Sequence, residues 1–133
     1  MTDNEKKLVI LVDDNPVNLR IGKFFLHEKF SVATAPSAEK LFGLLENNRP
    51  SLILLDIDMP EMDGYEAIKI LKSNPETKDI PVIFLTGMAK KSMDEEKGRA
   101  LGAVDYILKP FDPPALIECI EKYTSTEASF NDE

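Results

Sequence analysis

A chain of 133 residues, 43% of them hydrophobic and 30% charged, has the size and make-up of one soluble globular domain, too short for two and too apolar to be disordered. Its 16 basic against 24 acidic side chains leave a formal charge of −8, which argues against a phosphate backbone or an anionic membrane surface as a direct partner. A single cysteine, Cys119, and a single histidine, His27, provide neither an intramolecular disulfide nor a Cys/His set for structural zinc.

The opening stretch from Met1 to Lys7 is polar and charged, and no apolar run approaches the roughly 20 residues that span a bilayer. Neither export nor membrane insertion is expected, and a reducing cytoplasm is the natural setting. Short apolar runs then alternate with segments of helical period, the pattern of βαβ units that build a parallel sheet covered on both faces. The first strand is predicted at Leu8 to Val12. Pro16 suits a first helical position, and Val17, Ile21, Phe24 and Phe25 are spaced as one apolar stripe facing the sheet. A second, partly polar strand runs from Phe30 to Thr34. Ser37 suits a helix N-cap before the stripe of Ala38, Leu41, Phe42 and Leu45. The third strand is predicted at Leu52 to Leu55 and the fourth at Val82 to Leu85, continuous apolar runs of the kind that sheets buried on both faces require.

The segment from Lys90 to Leu101 is expected to be a loosely held fourth helix, because Met93, Ala100 and Leu101 are its main apolar positions and Gly98 interrupts it. A fifth strand follows at Val104 to Leu108, and Leu116, Ile117 and Ile120 mark a last helix. Residues 1–123 are expected to form the domain. Residues 124–133, polar and acidic apart from Phe130, read as a frayed tail or the start of a linker.

In an open parallel sheet, ligands bind beyond the carboxyl ends of the strands, where the strand order reverses. The polar residues of this chain fall there. Asp13 and Asp14 follow the first predicted strand, Asp56 the third, Thr86 the fourth and Lys109 the fifth. Three carboxylates gathered at one edge repel, and a divalent cation relieves the conflict. All-oxygen ligands with no nearby His or Cys favour Mg²⁺, which keeps waters and usually binds one or two carboxylates plus a phosphate oxygen. A carboxylate is also a competent phosphoryl nucleophile when a metal and a lysine neutralise the transferring oxygens, and Asp56 lies at the centre.

Four motifs carry a resemblance to a known family: "VDDN" at Val12 to Asn15, "LLDIDMPEMDGYE" at Leu54 to Glu66, "FLTG" at Phe84 to Gly87 and "YILKPF" at Tyr106 to Phe111. In that order and spacing, over about Leu8 to Tyr123, the chain resembles the receiver domains of response regulators in two-component signalling. The resemblance implies a flavodoxin-like α/β fold, a doubly wound parallel sheet of five strands in the order 2-1-3-4-5 with five helices. It makes Asp56 the phosphoacceptor and Asp14 a direct Mg²⁺ ligand, with Asp13 acting largely through water and the backbone carbonyl of Asp58 completing the protein ligands. Lys109 would pair with Asp56 and then with the phosphoryl oxygens, Thr86 would hydrogen-bond the phosphoryl group, and Tyr106 would swing inward as Thr86 moves. The Lys109–Pro110 peptide would be cis, Gly64 would open the third helix, and Gly87 would leave room beside the site. The implied partner is a histidine kinase or histidine phosphotransfer protein, and the output is a changed surface on the fourth helix, fifth strand and fifth helix. A downstream target or effector domain would read that surface, with a phosphorylation-dependent dimer among the forms the resemblance allows. The domain would catalyse only its own phosphorylation and dephosphorylation, and Asp58 would face the approach of water and tune the phosphoryl lifetime.

Taken singly, each residue has a plainer account. Asp13 and Asp14 could cap the first helix, Thr86 could serve a turn, Lys109 could be a solvated charge and Tyr106 a half-buried strand aromatic. His27 reads as a helix surface residue and Cys119 as a small apolar group on the last helix. Independent roles of this kind give no reason for the polar set to meet at one sheet edge. The alternative from another class is a Mg²⁺-dependent aspartate-nucleophile phosphatase of the haloacid dehalogenase type, since Asp56-Ile57-Asp58 and Thr86 imitate its motifs. Pro60 stands where that family has Thr or Val, and no late acidic motif follows Lys109.

Overall fold

A computed structural model describes residues 6–87 and 91–124, with the backbone alone for 91–94. The elements alternate without exception: β1 (Leu8–Val12), α1 (Pro16–Leu26), β2 (Ser31–Ala35), α2 (Ala38–Leu45), β3 (Leu52–Asp56), α3 (Gly64–Ser73), β4 (Val82–Gly87), α4 (Lys91–Leu101), β5 (Asp105–Lys109) and α5 (Pro113–Thr124). All neighbouring strands are parallel, in the order β2-β1-β3-β4-β5. The order of the strands therefore reverses between β1 and β3.

Pleating sends alternate residues to opposite faces, and each face has its own core. Ile10, Val12, Ile53, Leu55, Val82 and Phe84 pack with Ala38 and Leu41 of α2 and with Ala67, Ile68 and Leu71 of α3. Val9, Leu11, Leu52, Leu54, Ile83 and Leu85 pack with Leu26 of α1 and with Leu116 and Ile120 of α5. Leu52 to Leu55 are wholly buried, each such side chain contributing about 1.5–3 kcal/mol of transfer free energy. Among the described residues no helix is long and apolar enough to cross a membrane.

Several sequence expectations shift. β2 and β5 lie one residue later than predicted, and β3 and β4 run on to Asp56 and Gly87. The ladder carries them there, with Asp56 paired to Leu85 and Gly87 to Lys109. Asp56 and Lys109 are thus the last residues of their strands, not residues following them. Pro16 opens α1 and Ser37 caps α2 through its hydroxyl, which accepts from the Lys40 amide at 3.1 Å.

The α1 stripe is wrong in its facing. Val17, Ile21 and Phe24 are 52%, 40% and 70% exposed, whereas Gly22 and Leu26 face the sheet with Leu19 and Phe25 half-buried. Gly22 decides this orientation: a Cβ there would fall 2.5 Å from Leu11 Cδ2, so its bare backbone is what allows α1 to lie so close. In α4, Lys90 lies outside the described residues, as does the Met93 side chain, and Ala100 is exposed. Gly98 is buried rather than a mere interruption, seated against Phe84 and Tyr106. Lys97 lies 4.2 Å over the Tyr65 ring and Arg99 5.5 Å over the Tyr106 ring, so cations on ring faces supplement the sparse apolar contacts. Thr124 belongs to α5, its hydroxyl donating to the Ile120 carbonyl, and the remaining tail lies outside the described residues.

Candidate functional site

Val12 pairs with Leu55, so Asp13 just past β1 and Asp56 at the end of β3 lie side by side where the strand order reverses. Asp13 is wholly buried, Asp56 is 2% exposed, and Asp14 is open to solvent. One carboxylate oxygen from each of Asp13, Asp14 and Asp56 lies within 4.8 Å of the others. From the end of β5, Lys109 reaches across β4 to place Nζ 3.0 Å from Asp56 Oδ1 and 3.5 Å from Asp13 Oδ2. The bland account of Lys109 as a solvated charge does not hold.

Asp13 and Asp14 do not cap α1. The N-cap is Asn15, whose side chain accepts from the Val17 amide at 2.8 Å. Asp13 is instead an acceptor for the Asn15 N–H at 2.9 Å and for Asn18 Nδ2 at 3.1 Å. A buried charge requires such partners. Asn15 was legible as a cap directly before Pro16, but nothing in the sequence singled out Asn18.

Burial, then repulsion from Asp13, push the Asp56 carboxyl up to about 7, against the lowering pull of Lys109. Burial lowers Lys109, but its hydrogen bond and charge interaction with Asp56, and its attraction to Asp13, outweigh that and hold it above the ordinary lysine range. Three oxygen-bearing carboxylates converge with no His or Cys in the cluster, and two of them are buried and mutually repelling. This donor set fits a hard divalent cation of the Mg²⁺ kind.

The loop after β3 is pinned beneath Asp56. The Gly64 N–H donates to the Ile57 carbonyl at 2.8 Å, and Asp63 and Glu66 form a reciprocal capping box that opens α3. Glu61 adopts a φ of 70°, left-handed backbone that is uncommon outside glycine. Asp58 is exposed in this loop.

Thr86, near the end of β4, is buried and its hydroxyl donates to the Gly87 carbonyl at 3.3 Å. Among the described residues, no atom outside the chain neighbours would lie within 4 Å of a Cβ at Gly87. Tyr106 is half-buried, its ring 6.3 Å from that of Phe84 and its hydroxyl donating to the Glu95 carbonyl of α4. The Lys109–Pro110 peptide is cis. His27 is exposed at the end of α1, and Cys119 is half-buried with its thiol 3.6 Å from Asp105 Oδ2; neither belongs to the cluster of Asp13, Asp14 and Asp56.

The response regulator receiver domain family matches residues 9–121. The chain belongs to this family. As a receiver domain it is a phosphoacceptor signalling module, and the phosphatase alternative finds no support. Among relatives, the polar-differentiation response regulator DivK of Brucella anthropi is 36% identical over 118 residues, covering 88% of this receiver and 95% of that protein. A probable cyclic di-GMP phosphodiesterase of Vibrio cholerae is 39% identical over 129 residues; the match takes in 97% of this receiver but only 29% of that relative, so its phosphodiesterase name reaches beyond the shared part. The solved receiver domain of a Pseudomonas aeruginosa sensor histidine kinase, with a magnesium ion coordinated in its active site cleft, superposes with a TM-score of 0.81 at 27% identity, covering 90% of this receiver and 98% of that chain.

Proposed function

We propose that this receiver accepts a phosphoryl group on Asp56 from a phosphohistidine of a histidine kinase or phosphotransfer protein. The observation that carries the reading is the convergence of Asp13, Asp14 and Asp56 within 4.8 Å, with Lys109 Nζ 3.0 Å from Asp56. An Asp56 carboxylate oxygen attacks phosphorus in line, the O–P bond forms as the histidine N–P bond breaks, and the imidazole nitrogen leaves with the electron pair. Asp13, Asp14 and Asp56 would hold the cation, with the Asp58 carbonyl completing the protein ligands. Bound there, Mg²⁺ would supply charge neutralisation at the transferring oxygens. Lys109 moves from the carboxylate to a phosphoryl oxygen, and the Thr86 hydroxyl donates to another.

The added charge draws Thr86 inward, Tyr106 follows, and the equilibrium of the α4, β5 and α5 surface shifts. The domain turns over no separate substrate. Asp58, exposed two residues past the phosphoacceptor, tunes access of hydrolytic water. The domain acts as the switch in the cytoplasm, with Thr124 closing its last helix.

The donor protein docks on the outward stripe of α1. Val17, Ile21 and Phe24 form an apolar face that the fold leaves unburied, and it begins two residues after the Asn15 cap beside the carboxylates.

The test is incubation with Mg²⁺ and a small phosphodonor, followed by intact mass and mapping of the modified residue. One phosphoryl group on Asp56, absent in Asp56→Asn, is expected. Labelling that persists in Asp56→Asn, or sustained turnover of phosphate esters, would overturn the assignment.

A further inference from the structure

The two helices that open beside the carboxylates begin differently. In α3 the N-cap Asp63 accepts from the Glu66 amide at 2.9 Å, and Glu66 Oε1 accepts in return from the Asp63 N–H at 3.1 Å. In α1 the equivalent place is taken by Asn18, which does not close such a box. Its Nδ2 donates to Asp13 Oδ2 at 3.1 Å, and the cap's own N–H, from Asn15, donates to Asp13 Oδ1 at 2.9 Å. The cap N–H that a capping box would satisfy, and the side-chain amide at the box position, both donate to one buried carboxylate.

The first turns of α1 and α5 hold no acid, whereas α2 and α3 carry Glu39 and Glu66 there. An acid in that position normally complements the helix dipole. Beside Asp13, Asp14 and Asp56 it would add a fourth negative charge. Asp13 offers only acceptors when ionised, so it is the amide nitrogen of Asn18 that faces it.

We infer that Asn18 is a positioning residue for the cation site, its amide fixing the plane of the Asp13 carboxylate. One donor on Oδ1 leaves the carboxylate free to turn about its last torsion; a second donor on Oδ2 stops that rotation. Oδ2 is also the oxygen 3.5 Å from Lys109 Nζ. Without Asn18 the ammonium is the one donor left to Oδ2 among the contacts described, and Asp13 closes on Lys109 and competes with Asp56 for it. Asn18 thereby holds Asp13 toward the cation and leaves Lys109 on Asp56. This rests on the reading of Asp13, Asp14 and Asp56 as a Mg²⁺ site.

The experiment is calorimetric titration of the wild type and Asn18→Ala with Mg²⁺, paired with the rate of Asp56 labelling by a small phosphodonor against Mg²⁺ concentration. Partners of this outer kind contribute roughly 10–100-fold to metal affinity, and a rise of about tenfold in the Mg²⁺ dissociation constant is expected. The Mg²⁺ concentration for half-maximal labelling should rise with it, while the maximal rate falls much less. A merely structural bond would lower the melting temperature equally with and without Mg²⁺ and leave the dissociation constant unchanged, which overturns the assignment. A second measurement needs no variant: the side-chain amide resonances of Asn18 in the wild type should shift during the Mg²⁺ titration with the midpoint of the site, and resonances that stay still overturn it too. A wild type that bound no Mg²⁺ would overturn the site reading itself. Unchanged affinity in Asn18→Ala beside a wild type that binds would overturn the role of Asn18 alone.

Discussion

A Cβ on Gly64 would lie 2.5 Å from the backbone oxygen of Asp56 and 2.8 Å from the Cα of Ile57. Both obstacles are main chain, so no side-chain rotation relieves the clash. Gly64→Ala should therefore shift the strand end that carries the phosphoacceptor, costing about 1–3 kcal/mol as overpacking does. Because small displacements of reacting groups reduce rates by up to about 10²-fold, labelling of Asp56 should slow more than the loss of stability explains. Urea denaturation and labelling rate at a temperature where the variant stays folded check this. Wild-type values for both would refute the contact.

The raised carboxyl of Asp56 gives a pH signature with a definite sign. Its ordinary value is 3.8 and burial beside Asp13 pushes it up to about 7, so between those limits the metal-free folded state holds a proton that the unfolded chain has released. The stability from this group is complete below pH about 4 and is lost as pH rises through about 7. Measured in chelator as the difference between wild type and Asp56→Asn, thermal stability should decline from about pH 5 to pH 8. Mg²⁺ favours the ionised carboxylate, so its affinity should fall as pH drops through about 7. A difference curve that is flat with pH would contradict the assigned cause.

Gly98 carries a second steric prediction, on the other side of the site. A Cβ there would meet Tyr106 Oη at 2.6 Å and the Phe84 ring at 2.7 Å. Alanine gains about 1 kcal/mol in helix propensity over glycine, and overpacking opposes it by about 1–3 kcal/mol. We expect a net loss in Gly98→Ala, with the Tyr106 ring displaced from its place against Gly98. Denaturation together with the ring resonances of Tyr106 decides the matter; a more stable variant with an unmoved ring would show that α4 yields instead.

What was legible in the sequence follows from which physical signal each feature has. Continuous apolar runs are forced wherever a strand is buried on both faces, so β1, β3 and β4 could be read directly, and the partly polar β2 and the half-buried β5 followed from the alternation with helical segments. The last residues of β3 and β5 could not be read, because Asp56 and Lys109 are polar residues kept in the ladder by backbone pairing, which leaves no trace in hydropathy. The stripe on α1 misled for a related reason. Glycine has no hydropathic weight, yet Gly22 sets the facing of the helix by allowing the closest approach, and it turned Val17, Ile21 and Phe24 outward. Gly98 acted alike in α4. The carboxylates and Lys109 were legible because strand-end positions in a parallel sheet converge, whereas the Asn18 to Asp13 bond joins two residues through helix geometry that no motif marks.

The outward face of α1 separates chemistry from recognition. Phe24 is 70% exposed, touches Phe25 and His27 on its own helix edge, and lies at the far end of the stripe from the carboxylates. Phe24→Glu should leave the fold and the metal site intact, because surface changes of this kind usually alter stability by no more than about 0.5 kcal/mol. Labelling by a small phosphodonor, which needs no docking face, should be unchanged. Transfer from a phosphorylated histidine kinase or phosphotransfer protein should slow by about tenfold or more, since truncating an apolar anchor at an interface costs upward of about 1–2 kcal/mol and a charge in its place adds desolvation. The two rates measured side by side are decisive. Equal slowing with both donors would mean that Phe24→Glu damages the site, and no slowing with the protein donor would place the docking face elsewhere than on α1.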